Sequence, residues 1–453
     1  MKDFIIKLLD LKEKDIDSID SITISDDSLN LIITLKRKEE ICPRCGSFSH
    51  YIKDYKYKHL NHKVLVHSDT KIIYKQRRYI CKDCHHTFYE TCPFTSNRSS
   101  MTPATVISIL DSLKPYTSTF SSVARSHNVS ITTVVDIFDK HVQIRRKKLT
   151  EILCWDEFYF DRHSKKKYAF MMMDFKKKVI LDIVESRWTE DLSAYFFSIP
   201  LDERNEVHFI IIDMYDAYRN LASIFFKNAK VCVDPFHCTK RINDSLNTIR
   251  KRVMRKYSEK KDSQEYKLLK NKHKVIFKAK DDLKDEYYYD RTIGQHVTEA
   301  KICEMILNID ADLMEAYKIK EEYLAINNVT ENEYTGSNEK KAEFDSLIKR
   351  MILSEIKEMI ECARTFKNWK EEILNSFRWV DERRLSNGPR EGKNSYIKKI
   401  MHNENGFKNF KRARNKFMYS QNYHEKYTLS ENREVIKQTG KTRGKYKKKK
   451  NKQ

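Results

Sequence analysis

Turn-forming residues are scarce in this chain, with 8 glycines and 7 prolines in 453 residues, well below the roughly 12% of average usage. That scarcity disfavours an all-β sandwich or propeller, whose short strands need frequent turns, and favours long helices. Apolar runs approaching the roughly 18 residues of a spanning helix are also missing, so no helical membrane span is expected. The opening MKDFIIKLLDLKEKD interrupts its apolar residues with charges and makes a poor signal peptide, so an intracellular protein is expected. The 10 cysteines are too thinly spread for a secreted disulfide scaffold. Acidic residues fall short of basic ones, 65 against 88, for a net charge of +23. At roughly 150 residues per domain the length suggests about three domains. An apolar content of 40% supports more than one core and argues against a disordered polycation. The charge calls for an anionic partner. Nucleic acid is the foremost candidate, because neutralising a polyphosphate releases its counterions.

Four cysteines form two C-x-x-C pairs, Cys42-Pro-Arg-Cys45 and Cys81-Lys-Asp-Cys84. Two thiolates at that spacing reach one ion, because a short knuckle turns the chain back on itself, with Gly46 free to take the left-handed conformation. Four such thiolates satisfy tetrahedral zinc and leave no position for a substrate. The gap between the pairs exceeds the common spacing of about 15–20 residues, and His85, His86 and Cys92 stand near enough to substitute. Strand-like runs at Val64–Val66 and Ile72–Tyr74 suggest a small metal-stapled sheet, a zinc ribbon over residues 1–100. Its lysines, with Arg77 and Arg78, interleave with Tyr51, Tyr55, Tyr57, Tyr74 and Tyr79 as a basic-aromatic surface suited to DNA.

Residues 101–145 read as a helix-turn-helix. Thr102 caps a first helix over Met101–Leu113 with Pro103 in its first turn. Ala124 is small enough for a close helix crossing, and Asn128 stands where the turn wants a left-handed residue. Ser130 caps the second helix, with Val129, Val134 and Ile137 as apolar positions. That helix offers Thr132, Thr133, Asp136 and Lys140 to a major groove.

From residue 150 strands alternate with helices. Strands are expected at Ile152–Phe158, Tyr168–Asp174, Val179–Val184, Val207–Ile212 and Lys230–Asp234, and helices at Thr189–Ile199 and Tyr215–Lys227. Three strands in a meander, then helix, strand, helix and strand, is the order of a ribonuclease-H-like core. Asp156 on the first strand and Asp213 after the fourth would meet at its carboxyl edge. Paired carboxylates suit Mg2+ or Mn2+, hard cations that keep waters for a phosphate substrate. Strand alternation turns Glu157 to the opposite face. Asp234 and His237 follow the fifth strand, as a helix cap and an imidazole beside the site or as groups near its metals or DNA.

A third acid is sought in RRLSNGPREGKNSYIKKI. There Ser386 or Asn387 caps a helix, Pro389 sits in its first turn, and Glu391 opens it. Arg390, Lys393 and Lys398 stand near enough to position phosphates. Between the second and third acids the chain is helical and charged. A stripe runs through Phe344, Ile348, Ile352, Ile356, Met359, Ala363 and Phe366, and 327–337 looks like a loop. The basic tail Lys441–Gln453 has no acid and should bind phosphates without order.

These motifs resemble the ISL-three-type bacterial insertion-sequence transposases, which are DDE recombinases. CPRCGS with RRYICKDCHHTF resembles the family's zinc-binding module, and CWDEFYF its first-acid strand. IIIDMYDAYRN with VDPFHCTKRIN resembles the second-acid block, and RRLSNGPREGKNSYIKKIMHNENGFKNFKRAR the third. The resemblance implies Asp156, Asp213 and Glu391 as catalytic acids holding Mg2+ or Mn2+, and structural Zn2+ on Cys42, Cys45, Cys81 and Cys84. It implies cleavage and strand transfer on double-stranded DNA, at terminal inverted repeats and target sites, by a homo-oligomer in the bacterial cytoplasm at the nucleoid. The alternative is a catalytically silent, transposase-derived repressor. The expected architecture is multidomain α/β: zinc module 1–100, helix-turn-helix 101–145, core 146–240, helical insertion 241–380, third-acid helix 381–430 and tail 431–453.

Overall fold

The computed structural model describes residues 11–25, 28–62, 69–95, 99–161, 166–330, 338–422 and 429, without the side chains of 21–25, 28, 69, 338 and 389–391. The Val64–Val66 run and the tail Lys441–Gln453 lie outside the described residues. Contacts divide the chain into two compact units, Met1–Gln143 with Asn422–Gln453, and Ile144–Gln421.

In the first unit, β1 (Ile16–Ser25), β2 (Ser28–Leu35), β5 (Ile52–Asn61) and β6 (Asp69–Ile80) form a sheet in the order β1-β2-β6-β5. The short β7 (Thr87–Tyr89) pairs with β6, and β3 (Glu40–Ile41) with β4 (Phe48–Ser49) makes a separate ladder. Leu31, Ile33, Leu60, Ile72, Tyr74 and Phe94 fill the sheet's core. Three helices follow: α1 (Pro103–Ser112), α2 (Phe120–Ser126) and α3 (Ile131–His141). Thr102 caps α1 and holds it to the sheet, its backbone N–H donating to Asn61 O at 3.2 Å. A reciprocal Thr119–Ser122 capping box starts α2, and the Ser130 side chain accepts from Thr133 N to start α3. Asn128, at φ +50°, makes the tight reversal between them, a conformation Asn tolerates better than most residues. Val123, Ala124, Val134 and Phe138 are buried where the helices meet, with Phe120 set edge-on to Phe138 at 5.3 Å. Ile137, expected inside, is half-buried, and Phe138 takes the interior.

The second unit is built on β8 (Ile152–Tyr159), β9 (Tyr168–Asp174), β10 (Ile180–Val184), β11 (Phe209–Ile212) and β12 (Lys230–Val233), in the order β10-β9-β8-β11-β12. The pairs β10/β9 and β9/β8 are antiparallel, while β8/β11 and β11/β12 are parallel. The strands are apolar on both faces because helices cover both. On one face Trp155 stacks on Phe196 of α4 (Thr189–Phe197) at 4.8 Å and meets Tyr218 of α5 (Asp216–Phe225) edge-on. Leu246 and Ile249 of α6 (Pro235–Arg255) join the same core. On the other face Cys154, Met171 and Ile211 pack with Ile397 and Ile400 of α10 (Gly388–Asn403) and Phe417 of α11 (Phe410–Ser420).

The long interval between these parts packs α7 (Ala311–Asn327) and α9 (Lys357–Asn368) on α6, with α8 (Asn338–Leu353) against both α7 and α9. The expected apolar stripe is not one helix. Glu355, at φ +56°, ends it between α8 and α9, so Phe344 and Phe366 face each other in a stacked pair at 5.6 Å while Ile352 is exposed. The interval also holds a hairpin, Tyr288–Asp290 with Gln295–Val297, whose turn places Gly294 at φ +74°.

Candidate metal centres and active site

The four cysteines converge. Cys42 Sγ lies 3.7 Å from Cys84 Sγ and Cys45 Sγ 3.5 Å from Cys81 Sγ, and all four sulfurs fall within 4.8 Å of one another. Tetrahedral zinc with bonds of about 2.3 Å separates its sulfurs by about 3.8 Å, so the set fits that ion. The knuckles share one geometry. Gly46 N–H donates to Cys42 O at 2.9 Å and His85 N–H to Cys81 O at 3.0 Å, with Gly46 at φ +78° and His85 at φ +57°. Hydrogen bonds with Ser47, side chain first and backbone next, hold the Cys45 thiol down to about 6, toward the thiolate that binds metal. Cys92 is instead buried with Tyr74 and Phe94, and His85 serves as the left-handed residue of its knuckle.

The acidic centre is assembled by strand register. In the parallel β8/β11 pair, Phe209 stands opposite Ile152, Ile210 opposite Leu153 and Ile211 opposite Cys154. Continued two residues, past the end of β11 at Ile212, this register would bring Asp213 level with Asp156. Alternation sets Asp156 on the side of Cys154 and Asp213 on the side of Ile211, the face covered by α10 and α11. Asp156 is 5% exposed, and Asn394 Nδ2 from α10 donates to its Oδ2 at 2.5 Å. Glu391 lies three residues before Asn394 in the same helix, a spacing that shares a helix face; its side chain is outside the described residues. Asn387 precedes α10 without a side-chain capping bond, and Pro389 sits in the first turn.

Glu157 points the other way. Arg187 donates to it at 2.5 Å and Tyr218 OH at 3.3 Å, and burial pushes the Tyr218 phenol up, which keeps it a donor. Asp213 has different company. His237 Nε2, in the first turn of α6, is 2.9 Å from Asp213 Oδ1 and 4.0 Å from Asp234 Oδ2. The ligand atoms of these three residues lie within 4.8 Å of one another, and among the described residues Asp156 joins no such group of three.

A DDE transposase model of the ISL3 type, described as Transposase, matches residues 153–417, from the start of β8 to Phe417 of α11. The chain belongs to the ISL3 transposase family. A second model, the zinc-finger of transposase IS204/IS1001/IS1096/IS1165, matches residues 38–84 and so spans all four cysteines. No curated protein matches the chain. No helix among the described residues is long and apolar enough to cross a membrane.

In this ISL3 transposase the basic residues singled out from sequence fare differently. Arg77 corrects its expected surface role: it is 5% exposed, pairs with Glu90 at 3.2 Å and donates to Leu35 O and Lys36 O. A guanidinium buried inside the module with both terminal nitrogens engaged is not offered to DNA. Arg78 stays at the surface beside Asp54 and the Tyr89 ring. Lys75 lies over Tyr55 at 4.9 Å, and Tyr55 and Tyr57 are exposed. Thr132 and Lys140 are exposed, whereas Thr133 is half-buried, its hydroxyl 2.8 Å from Ser130 Oγ. On α10, Lys398 is exposed and Lys393 half-buried, the latter's pKa lowered by burial and then by Lys147; the Arg390 side chain is outside the described residues. Sequence reasoning missed Asn394, whose contact with Asp156 depends on how α10 crosses β8; Asn387, read there as a candidate helix cap, makes no side-chain capping bond and is buried with neither side-chain amide atom hydrogen-bonded.

Proposed function

We propose that this ISL3 transposase cleaves and joins DNA at the ends of its insertion sequence by a DDE mechanism, through Asp156, Asp213 and Glu391. The observation that supports this reading is the parallel β8/β11 register, which, continued past Ile212, aligns Asp213 with Asp156 on the sheet face covered by the helix that bears Glu391. The strand order β10-β9-β8-β11-β12 supports a ribonuclease-H-like core. The Thr119, Asn128 and Ser130 devices support a helix-turn-helix in the first unit, which with the zinc ribbon would recognise the element ends.

The donors fit divalent cations, since hard carboxylate oxygens are what Mg2+ and Mn2+ take. Bound between the acids, such cations would activate an attacking oxygen and stabilise the leaving one in an in-line displacement. The chain's own residues fix the acids in place. Asn394 orients the Asp156 carboxylate, and strand β11, hydrogen-bonded on both sides, presents Asp213 from a rigid edge. Exposed Lys398 on the same helix would meet phosphates as a point charge.

The test is a panel of charge-removing, shape-keeping substitutions assayed on DNA carrying the element ends. Asp156→Asn, Asp213→Asn and Glu391→Gln should each lower strand cleavage about 10³-fold or more while end binding persists. Combining Asp156→Asn with Asp213→Asn should cost little beyond either alone, because the acids act as one unit. Robust cleavage by any of the three single variants removes that residue from the mechanism.

A further inference from the structure

Resting on Asp213 as one of the acids, we infer that Asp213, Asp234 and His237 form one divalent-cation site of mixed carboxylate and imidazole donors, which binds a transition cation of the Mn2+ class more tightly than Mg2+. The distances match an octahedral shell. With metal–ligand bonds of about 2.1 Å, neighbouring ligands lie about 3.0 Å apart and opposed ones about 4.2 Å. His237 Nε2 stands 2.9 Å from Asp213 Oδ1 and 4.0 Å from Asp234 Oδ2, a near-neighbour and a near-opposed pair.

Asp234 is also oriented as a ligand would be. Its Oδ1 accepts from Phe236 N at 3.4 Å and from Asn387 N at 3.3 Å, which turns Oδ2 toward His237. Supporting bonds of this kind fix and tune metal ligands. Asn387 itself is 1% exposed, and neither atom of its side-chain amide has a hydrogen-bond partner. An unpartnered buried amide beside Asp234, whose Oδ1 its own backbone N–H bonds, can be satisfied by a water or ion at the site. The imidazole sets the preference among cations, since nitrogen donors favour first-row transition metals while all-oxygen sets suit Mg2+. Two elements supply the site: the end of β11, and α6 through its cap and first turn. Each is anchored in the second unit independently of Glu391.

Zinc-loaded full-length protein titrated with Mn2+ and read by pulsed electron paramagnetic resonance tests this assignment. The expected spectrum shows a directly bound imidazole nitrogen, and Mg2+ should displace the ion only at more than about tenfold excess. His237→Gln should remove the nitrogen coupling and weaken Mn2+ binding about tenfold or more. Asp234→Asn keeps the helix cap, since Asn caps as well as Asp, and should weaken Mn2+ comparably without changing the thermal transition. Bound Mn2+ with no nitrogen coupling, coupling that survives His237→Gln, or unchanged Mn2+ affinity in Asp234→Asn would overturn the site. Cleavage assays on the same preparations separate it from the DDE reading. Nicking in Mg2+ without imidazole coupling sinks the site alone; coupling in a protein that never nicks sinks the mechanism alone.

Discussion

The cysteine cluster and the proposed carboxylate centre of this transposase are built in opposite ways. The sulfur centre comes from two local knuckles, each closed within a few residues by its own backbone bonds, so each pair of ligands is preformed before the pairs meet. The carboxylate centre has no local precursor. Asp156 and Asp213 reach one level only because β8 and β11 pair in parallel at a particular register, and α10 arrives from far along the chain. The lesson is one of dependence. On this reading zinc helps the ribbon fold, whereas the 144–421 unit is built around its own apolar sheet and needs no cation to form.

The largest effect should therefore follow removal of zinc. Cys45→Ser with Cys84→Ser should eliminate bound zinc and unfold the ribbon, because structural zinc contributes about 10–16 kcal/mol of apparent binding energy to such modules. Elemental analysis with differential scanning calorimetry should show the 144–421 unit melting as before. Retained zinc would remove these cysteines as the ligands, and a shift in both transitions would break the contrast. The converse perturbation is Trp155→Ala, which empties the aromatic cluster of Phe170, Phe196, Tyr218 and Phe226. It should destabilise the catalytic unit by about 3–5 kcal/mol and leave zinc content unchanged.

Adjacent arginines in β6 sharpen the contrast on a smaller scale. Arg77→Ala leaves Glu90 buried without its partner and should cost about 3 kcal/mol or more in stability. Arg78→Ala should cost under about 1 kcal/mol but reduce the salt dependence of DNA binding by about one phosphate contact. Equilibrium unfolding and salt-titrated binding measure the two, and a reversal would place the wrong arginine inside. The smallest change is expected of Glu157→Gln. Its ion pair with Arg187 is partly exposed, so stability should move by under about 1 kcal/mol and cleavage should stay near wild type. Inactivation by this variant would show that the acid next to Asp156 had been misjudged.

The comparison also explains which features could be read in advance. Features set by neighbours in the chain were legible: the cysteine knuckles, the left-handed Asn128, the caps at Thr102 and Ser130, and the strand Tyr168–Asp174. So was the opposed facing of Asp156 and Glu157, because alternation along a strand is local. Features set by distant partners were not. Arg77 looks like its basic neighbours until Glu90 from beyond β7 reaches it, and Asn394 means nothing until α10 crosses β8. The apolar stripe from Phe344 to Phe366 satisfies helical spacing throughout, and only the left-handed Glu355 divides it. Strand β1 escaped notice because Asp17, Asp20 and serines, which are not strong strand formers, interrupt its isoleucines, and β2 because its apolar run is short and follows directly on it. His237 was visible as part of VDPFH, yet its distance to Asp213 depends on β11 and β12 lying side by side.

Register, rather than sequence proximity, is proposed to build the phosphodiester-cleaving centre from Asp156, Asp213 and Glu391. The most direct test is incubation of the purified protein with DNA containing its own element ends and Mg2+ or Mn2+, followed by mapping of 3′ ends at nucleotide resolution. Discrete nicks should appear at the element boundary and vanish in Asp213→Asn while binding to the same ends remains. A wild-type protein that binds those ends but never nicks them would contradict the account and leave a DNA-binding repressor in its place.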